Sequence, residues 1–482
     1  MAKSVKVNFF YNIINTVSGL VFPLITYPYA FRILMADGIG EINFLNSIIS
    51  YVSILTGLGI PLYGIREIAR VRDDIKELTK TTLEILSLNL LLNIIGYIII
   101  LIIGTNVTVV KDNASLFFLL SLSIILTTLG CQWFYSGTEE FKFVTIRGII
   151  VRLLCTLFLF IAVKTKSDLY WYALYTVLVS TGNYIVNFVC LKKRINISLI
   201  KFKELNLWKH LKPASAVFVF NLVTSIYLNL DKVMLGFLSD AQSVGYYTAS
   251  TQLSHILLTI ATALGAVMLP RSSNLIKLGK IDEFYRLANK SCNFILMLAM
   301  PLCVGCLVMS PVLIHIFCGD SYEPSIMTLR IICPIIIAIG ISNLIGLQIL
   351  YPLGLIKIVT LSTCVGAIVN FVLNACLIPS LSQDGAAIAT VTAETSVTLS
   401  QIFMARKHIK FKIISKEFYK YLFASILMGV ICLILVNSDA KDIIKLLYIP
   451  CVGAFIYGSL MILLKEPLTV ELISIVKSKF RL

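Results

Sequence analysis

Ser225-Ile-Tyr-Leu-Asn-Leu-Asp-Lys-Val-Met-Leu-Gly236 lies inside an apolar run from about 214 to 238, long enough to cross a bilayer as a helix. Asp231 and Lys232 stand side by side in it, with Asn221 and Asn229 nearby. A charge at that depth is costly, so it rarely faces lipid. Helical neighbours point about 100° apart, so this pair does not simply close on itself. At least one of the two must turn toward the protein interior or a wet cavity. Two readings are open: an ion pair knitting helices together, or a polar site for a charged solute.

Composition extends that reading to the whole chain. Of 482 residues, 58% are hydrophobic and 14% charged, and the mean hydropathy is +0.91, outside the range of soluble domains. The net charge of +16 invites a nucleic-acid reading, but Lys and Arg sit in short loops between apolar runs, which fits the positive-inside rule instead. The first apolar segment follows Lys3 and Lys6, contains Pro23 and Pro28, and lacks a small-residue cleavage site. It is expected to be a retained helix rather than a signal peptide. The twelve cysteines are scattered, and Cys303-Val-Gly-Cys306 lies within an apolar run with no second pair, so packing is the simpler role. No cofactor or metal motif is present, and no nucleotide loop or nucleophile elbow.

The pattern predicts an all-α polytopic membrane protein with about 14 transmembrane helices. The segments run roughly over 9–35, 42–65, 81–104, 114–135, 146–163, 168–191, 213–238, 243–270, 291–317, 325–350, 358–379, 385–405, 421–437 and 443–464. With both termini placed in the cytoplasm, 32 of the 41 Lys and Arg fall on that side. Only Lys111, Lys164, Lys166, Lys441 and Lys445 fall in outer loops. The loop 192–212 carries Leu205, Trp208 and Leu211 at helical spacing among lysines and predicts a short amphipathic helix on the cytoplasmic face.

The two halves resemble each other. Gly40 precedes Arg66 by 26 residues, as Gly245 precedes Arg271. Gln132-Trp-Phe-Tyr135 ends the fourth segment and Gln348-Ile-Leu-Tyr351 the tenth; Gly137 and Lys142 follow the first, Gly354 and Lys357 the second. Asp168 opens segment six as Asp384 opens segment twelve. An even, six-helix offset implies a parallel repeat about the membrane normal, with a site between halves. The expected organisation is a six-helix bundle over 1–196, a linker over 197–212, a second bundle over 213–412, and two further helices with a tail over 413–482.

Candidate site residues follow from charge and position. Pro23 and Pro28 should bend or break the first helix and free carbonyls toward a cavity. Arg32 sits toward the outer end of that helix, and Arg152 near the cytoplasmic end of its own, where snorkelling is the simpler role. Asp231, Glu394 and His255 are candidates for binding a coupling H+ or Na+. The mixed-charge stretches 64–73 and 137–142 are either solvated loops or parts of a gate that pairs across the halves.

At these residues the chain resembles a known family. Pro28-Tyr with Arg32-Ile-Leu, Gly-Ile-Arg-Glu-Ile-Ala at 64–69, Gln-Trp-Phe-Tyr at 132–135, Leu-Asp-Lys-Val-Met-Leu-Gly at 230–236, Val-Gly-Tyr-Tyr at 244–247 and Leu-Pro-Arg at 269–271 are similar to the polysaccharide transporters. These are the Wzx-type O-antigen and capsule flippases of the multidrug/oligosaccharidyl-lipid/polysaccharide superfamily. Met35 departs from the pattern, standing where a Gly usually follows Arg-x-Leu, and Ser136 stands where Gln is common. The resemblance implies two pseudo-symmetric six-helix bundles of MATE-like form around a central cavity, working by alternating access. It implies an undecaprenyl-pyrophosphate-linked oligosaccharide as cargo in the bacterial inner membrane, with membrane lipids and other polysaccharide-assembly proteins as partners. A pyrophosphate needs fixed cations, for which Arg32, Lys232, Arg66 and Arg271 are available; Tyr227 and Asn229 would suit sugar hydroxyls. A lipid II flippase needs a similar cationic cavity. A cation-coupled multidrug exporter needs an acidic one, and here membrane-embedded bases equal or exceed the acids. A glycosyltransferase or polymerase should show a large outer loop or a carboxylate cluster, and neither is present, so no enzymatic activity is expected.

Overall fold

The computed structural model describes residues 5–410 and 412–480; the side chains of 5–10, 12–13, 20, 202, 216–217, 219–228, 263–264, 266–267, 472 and 475–480 lie outside the described residues. Every regular element is a helix among the described residues. The first stretch comprises α1 (Val5–Gly57), α2 (Ile60–Val71), α3 (Ile75–Asn106), α4 (Thr108–Lys111), α5 (Ala114–Leu129), α6 (Gln132–Gly137), α7 (Phe141–Ala162), α8 (Leu169–Leu191) and α9 (Leu211–Leu238). After it come α10 (Ala241–Lys277), α11 (Ile281–Phe317), α12 (Ser325–Ile332), α13 (Ile335–Asn343), a π-helical stretch Leu344–Leu350, α14 (Ile356–Met404), α15 (Lys416–Val436), α16 (Asp442–Leu463) and α17 (Pro467–Phe480). In lipid only a helix satisfies its own backbone, which is why apolar composition dictates this outcome.

Ten helical stretches among the described residues are long and apolar enough to cross a membrane. Two of them bend into two limbs, α1 at Met35 and α14 at Ser382. With those bends counted, and with α9 and α10 added, the helices account for the 14 expected crossings. The chain is a multi-pass membrane protein. It divides into two compact units, Met1–Phe237 and Leu238–Leu482, so that α9 falls with the helices before it.

Three local expectations change. The first helix passes through Pro23 and Pro28 without a break, and its one non-helical residue is Met35, at φ 58° and ψ −178°. The stretch 64–73, expected as a charged loop, is largely the amphipathic helix α2, which buries Ile60, Tyr63, Gly64 and Ile68. The linker forms three separate 3-10 turns, Ile197–Leu199, Phe202–Glu204 and Trp208–His210, in place of one amphipathic helix. Specific side-chain bonds hold it, which override the weak periodicity of its leucines.

Aspartates mark two helix starts. Asp74 accepts from the amides of Lys76 and Glu77 at α3, and Asp240 accepts from Ser243 at α10, satisfying donors that a helix leaves open. In the first unit, Trp133, Phe134 and Tyr135 of α6 pack with Ile60, Tyr63 and Ile68 of α2 and with Leu78, Ile85 and Leu88 of α3. Gly64 lies where a Cβ would come within 2.9 Å of the Trp133 ring. In the second unit, α15 and α16 enter the core: Tyr421, Ala424, Met428 and Cys432 of α15 and Ile449 and Tyr457 of α16 share it with α11. Between α11, α15 and α16 lies an apolar cavity of about 600 Å³, lined by residues such as Met297, Pro301, Met428 and Tyr457. Outward faces carry exposed Ile161, Val189, Phe455 and Leu463, as a lipid-facing surface should.

Candidate functional site

Residues 225–236 form the C-terminal part of α9. Gly236 lets α9 approach the second limb of α1 so closely that a Cβ there would overlap the Phe44 ring. Phe237 meets Phe44 edge-on at 5.2 Å between ring centres. Asp231 is 6% exposed, and Tyr51 of the same limb lies within the field of its carboxylate. Phe44 and Tyr51 bracket the middle of a limb that runs from Ala36 to Gly57. The charge therefore lies deep in the membrane-spanning layer. Asp231 turns inward; Lys232, one step round the helix, is half-buried, as is Asn229. The Tyr227 side chain lies outside the described residues.

Arg32 is exposed, three residues before the Met35 bend. Arg66 is exposed on α2, beyond the far end of the second limb, which is about 33 Å long at the usual rise per residue. Arg32 and Arg66 thus cannot grip one pyrophosphate together in this arrangement. Arg66 is also engaged locally, with Nε 3.0 Å from Glu67 Oε1 and its guanidinium 5.4 Å from the centre of the Tyr63 ring. In the second unit, Arg271 and His255 are exposed on α10, sixteen residues or about 24 Å apart, and Glu394 is half-buried on the second limb of α14.

Charge pairing occurs within the first unit. Arg72 reaches Glu139 at 2.7 Å, and Arg194 holds Glu140 through Nε and Nη2 at 2.6 to 2.9 Å. The acids of 137–142 are thus bound to their own unit. Arg152, expected to snorkel, instead donates to Asn15 O and Oδ1 and to Ser18 Oγ, tying α7 to α1.

Several residues were passed over in the sequence. Glu84 is 0% exposed. Its carboxylate accepts from Lys209 Nζ at 2.6 Å, from the Asn206 amide at 2.9 Å and from His210 Nε2 at 3.0 Å. The other ring nitrogen of His210 takes the Tyr63 hydroxyl at 2.6 Å. With the carboxylate fixing the tautomer, Nε2 donates and Nδ1 accepts, so each member is satisfied. Burial pushes the His210 pKa down, against the upward pull of Glu84. The available signal was an acid placed four residues inside an apolar segment. Glu41, just past the Met35 bend, holds one buried carboxylate oxygen with no partner among the described residues.

Of the two matched glutamines, Gln132 is half-buried and Gln348 buried. Gln132 Oε1 accepts from Asn187 Nδ2 at 3.2 Å and from Arg147 Nη2 at 3.3 Å. Gln348 is 2% exposed on the π-helical stretch. A Cβ on Gly265 would lie 3.3 Å from its Nε2, and one on Gly346 would lie 3.4 Å from Gln401 Nε2. Arg147 escaped notice because it opens its segment and counts as loop charge.

Comparisons with known proteins agree with these features. A protein of Escherichia coli (strain K12) named "Putative O-antigen transporter" is 22% identical over 408 residues, covering 84% of this chain and 97% of that protein. The structure titled "Lipid II flippase MurJ, inward closed conformation" superposes with a TM-score of 0.72 at 16% identity, covering 95% of this chain and 99% of the other. An inward-facing multidrug resistance MATE family transporter of the MOP superfamily gives 0.62 at 11% identity, with 82% and 94% covered. At such identities these two structures establish a shared fold. Residues 5–276, more than half of the chain, match the family described as polysaccharide biosynthesis protein, and the chain belongs to that family.

Proposed function

We propose that the protein is a flippase that turns an undecaprenyl-pyrophosphate-linked oligosaccharide from the cytoplasmic to the outer leaflet of the bacterial inner membrane. The glycan would serve O-antigen, capsule or exopolysaccharide synthesis. The observation that carries this reading is the family match, which spans α9 with its membrane-embedded Asp231 and Lys232. The near full-length likeness to a protein named as an O-antigen transporter supports it. The apolar cavity of the second unit supports it too, because hydrocarbon lining suits an isoprenoid chain.

In this reading the cargo undergoes no covalent change, and the two units exchange access between leaflets. Lys232, a compact point charge, attracts the pyrophosphate, and Asn229 and Tyr227 meet sugar hydroxyls. Arg32 and Arg66, one crossing apart, act in succession at the two ends of the path, with Arg271 the counterpart of Arg66 in the second unit. Asp231, Glu394 or His255 takes up the coupling H+ or Na+. Both termini lie in the cytoplasm, as the basic loops require.

The test is transport in proteoliposomes loaded with a labelled undecaprenyl-pyrophosphate oligosaccharide, compared with lipid II and with a cationic dye. Movement of the oligosaccharide lipid in preference to the other two is expected. Preference for lipid II or for the dye would replace this reading with a lipid II flippase or a cation-coupled multidrug exporter of the same superfamily.

A further inference from the structure

Arg147 is 7% exposed, six residues into α7. Its Nη2 makes one long bond, 3.3 Å to Gln132 Oε1, and its guanidinium lies 5.2 Å from the centre of the Phe143 ring. Nε and Nη1 are buried and have no partner among the described residues. Tyr135 and Tyr184 are close enough to act on its charge, but neither is an anion: the Tyr135 hydroxyl donates to Asn187 O at 2.6 Å. Among the described residues no carboxylate lies within ion-pairing distance, and the two acids nearest in sequence, Glu139 and Glu140, are held by Arg72 and Arg194.

A guanidinium cannot shed its proton to escape burial, so the charge persists. A buried charge with open donors is strongly unfavourable unless an opposite charge joins it. The second unit shows that the packing does not require a cation. Counting from the matched lysines Lys142 and Lys357, the equivalent of Arg147 falls at Ser362, which is buried and neutral and donates to Val359 O at 2.8 Å. Asn187, which donates to the guanidinium's amide partner on α6, keeps a buried side-chain oxygen without a partner among the described residues. Rotating an amide exchanges its oxygen for an N–H, so this wall can donate as well as accept.

We propose that Arg147, with Gln132 and Asn187, forms an anion site inside the first unit that takes a phosphate-type oxyanion. Two open N–H groups of a planar guanidinium match such an oxyanion better than a single bridging water does, because the anion also supplies the missing charge. Arg147 lies about 9 Å from the start of α7, within reach of a headgroup phosphate as well as of a free anion. The site does not depend on the identity of the transported cargo.

The experiment follows the thermal unfolding midpoint of the full chain in a neutral detergent. Sodium phosphate is compared with sodium gluconate at equal ionic strength, and phosphatidylglycerol micelles with phosphatidylcholine micelles. Wild type should gain about 2 °C or more, saturably, with phosphate or with phosphatidylglycerol. Arg147→Gln should lose that response while remaining at least as stable in gluconate, and Arg147→Lys should keep part of it. A response to phosphatidylglycerol alone assigns the anion to a lipid headgroup; a response to inorganic phosphate assigns it to solution. No saturable gain in wild type with either probe would overturn the site, as would an equal gain in Arg147→Gln. Loss of stability in Arg147→Gln without any anion response would reduce the residue to an internal tie and also overturn it.

Discussion

His210 Nε2 lies 3.0 Å from Glu84 Oε2, and this contact fastens the chain between α8 and α9 to the buried face of α3. Lys209 and the Asn206 amide share the same carboxylate, and Tyr63 of α2 closes the far side of the imidazole. The linker is therefore latched to two helices through one carboxylate. Glu84→Ala should cost about 1–3 kcal/mol of stability, because it leaves the buried Nε2 of His210 without its acceptor. Hydrogen exchange of amides 197–210 should rise sharply in the variant; unchanged protection would show that the linker is held by something else.

The latch should also depend on pH. His210 has its pKa depressed below the ordinary 6.5 by burial, so the docked state binds fewer protons than the undocked one. Its contribution is then fully present above about pH 6.5 and is lost as the pH falls through the docked value. Amides 197–210 should exchange faster at pH 5.5 than at pH 7.5 after correction for intrinsic rates, and His210→Gln should flatten that difference. A latch that tightens on acidification would contradict the sign.

Met35 adopts φ 58° and ψ −178°, a region that essentially only glycine occupies without strain. It is also where the family pattern places a glycine. Relieving strain of about 1–3 kcal/mol against the entropy cost of glycine leaves a net gain of about 1 kcal/mol for Met35→Gly. The variant should unfold at a higher temperature with the bend intact. A lower midpoint would mean that contacts of the half-exposed Met35 side chain outweigh the backbone.

Gly236 and Phe44 set how closely α9 approaches the second limb of α1. Gly236→Ala should push the helices apart and cost about 1–3 kcal/mol. Shortening the obstacle in Gly236→Ala/Phe44→Leu should recover much of that loss. Additive losses in the double variant would show that the two residues do not meet.

Most of the fold was legible because a bilayer leaves apolar segments few choices. The crossings and the polar pair on α9 came directly from hydropathy and the placement of charge. The prolines misled because a helix can continue through them when its freed groups find other partners, whereas the real bend, at Met35, carries no signal in propensity. The linker misled because Glu84, Asn206, Lys209 and His210 are brought together by the fold across more than a hundred residues. The placement of Arg32 toward one end of its helix and of Arg66 beyond the next limb followed from their positions in the apolar segments, whereas the distance between them, about one crossing, is a matter of helix geometry.

The central claim rests on Lys232, whose ammonium would meet the pyrophosphate while the buried Asp231 steadies it or binds the coupling cation. The most direct measurement is the rate of oligosaccharide-lipid flipping in proteoliposomes at matched protein content, for wild type, Lys232→Ala, Lys232→Arg, Asp231→Asn and Lys232→Ala/Asp231→Asn. A point-charge role predicts loss of most activity in Lys232→Ala, partial activity in Lys232→Arg, and no rescue in the double variant. Full activity in Lys232→Ala would contradict the account, and so would recovery in the double variant, which would make the two charges a structural pair.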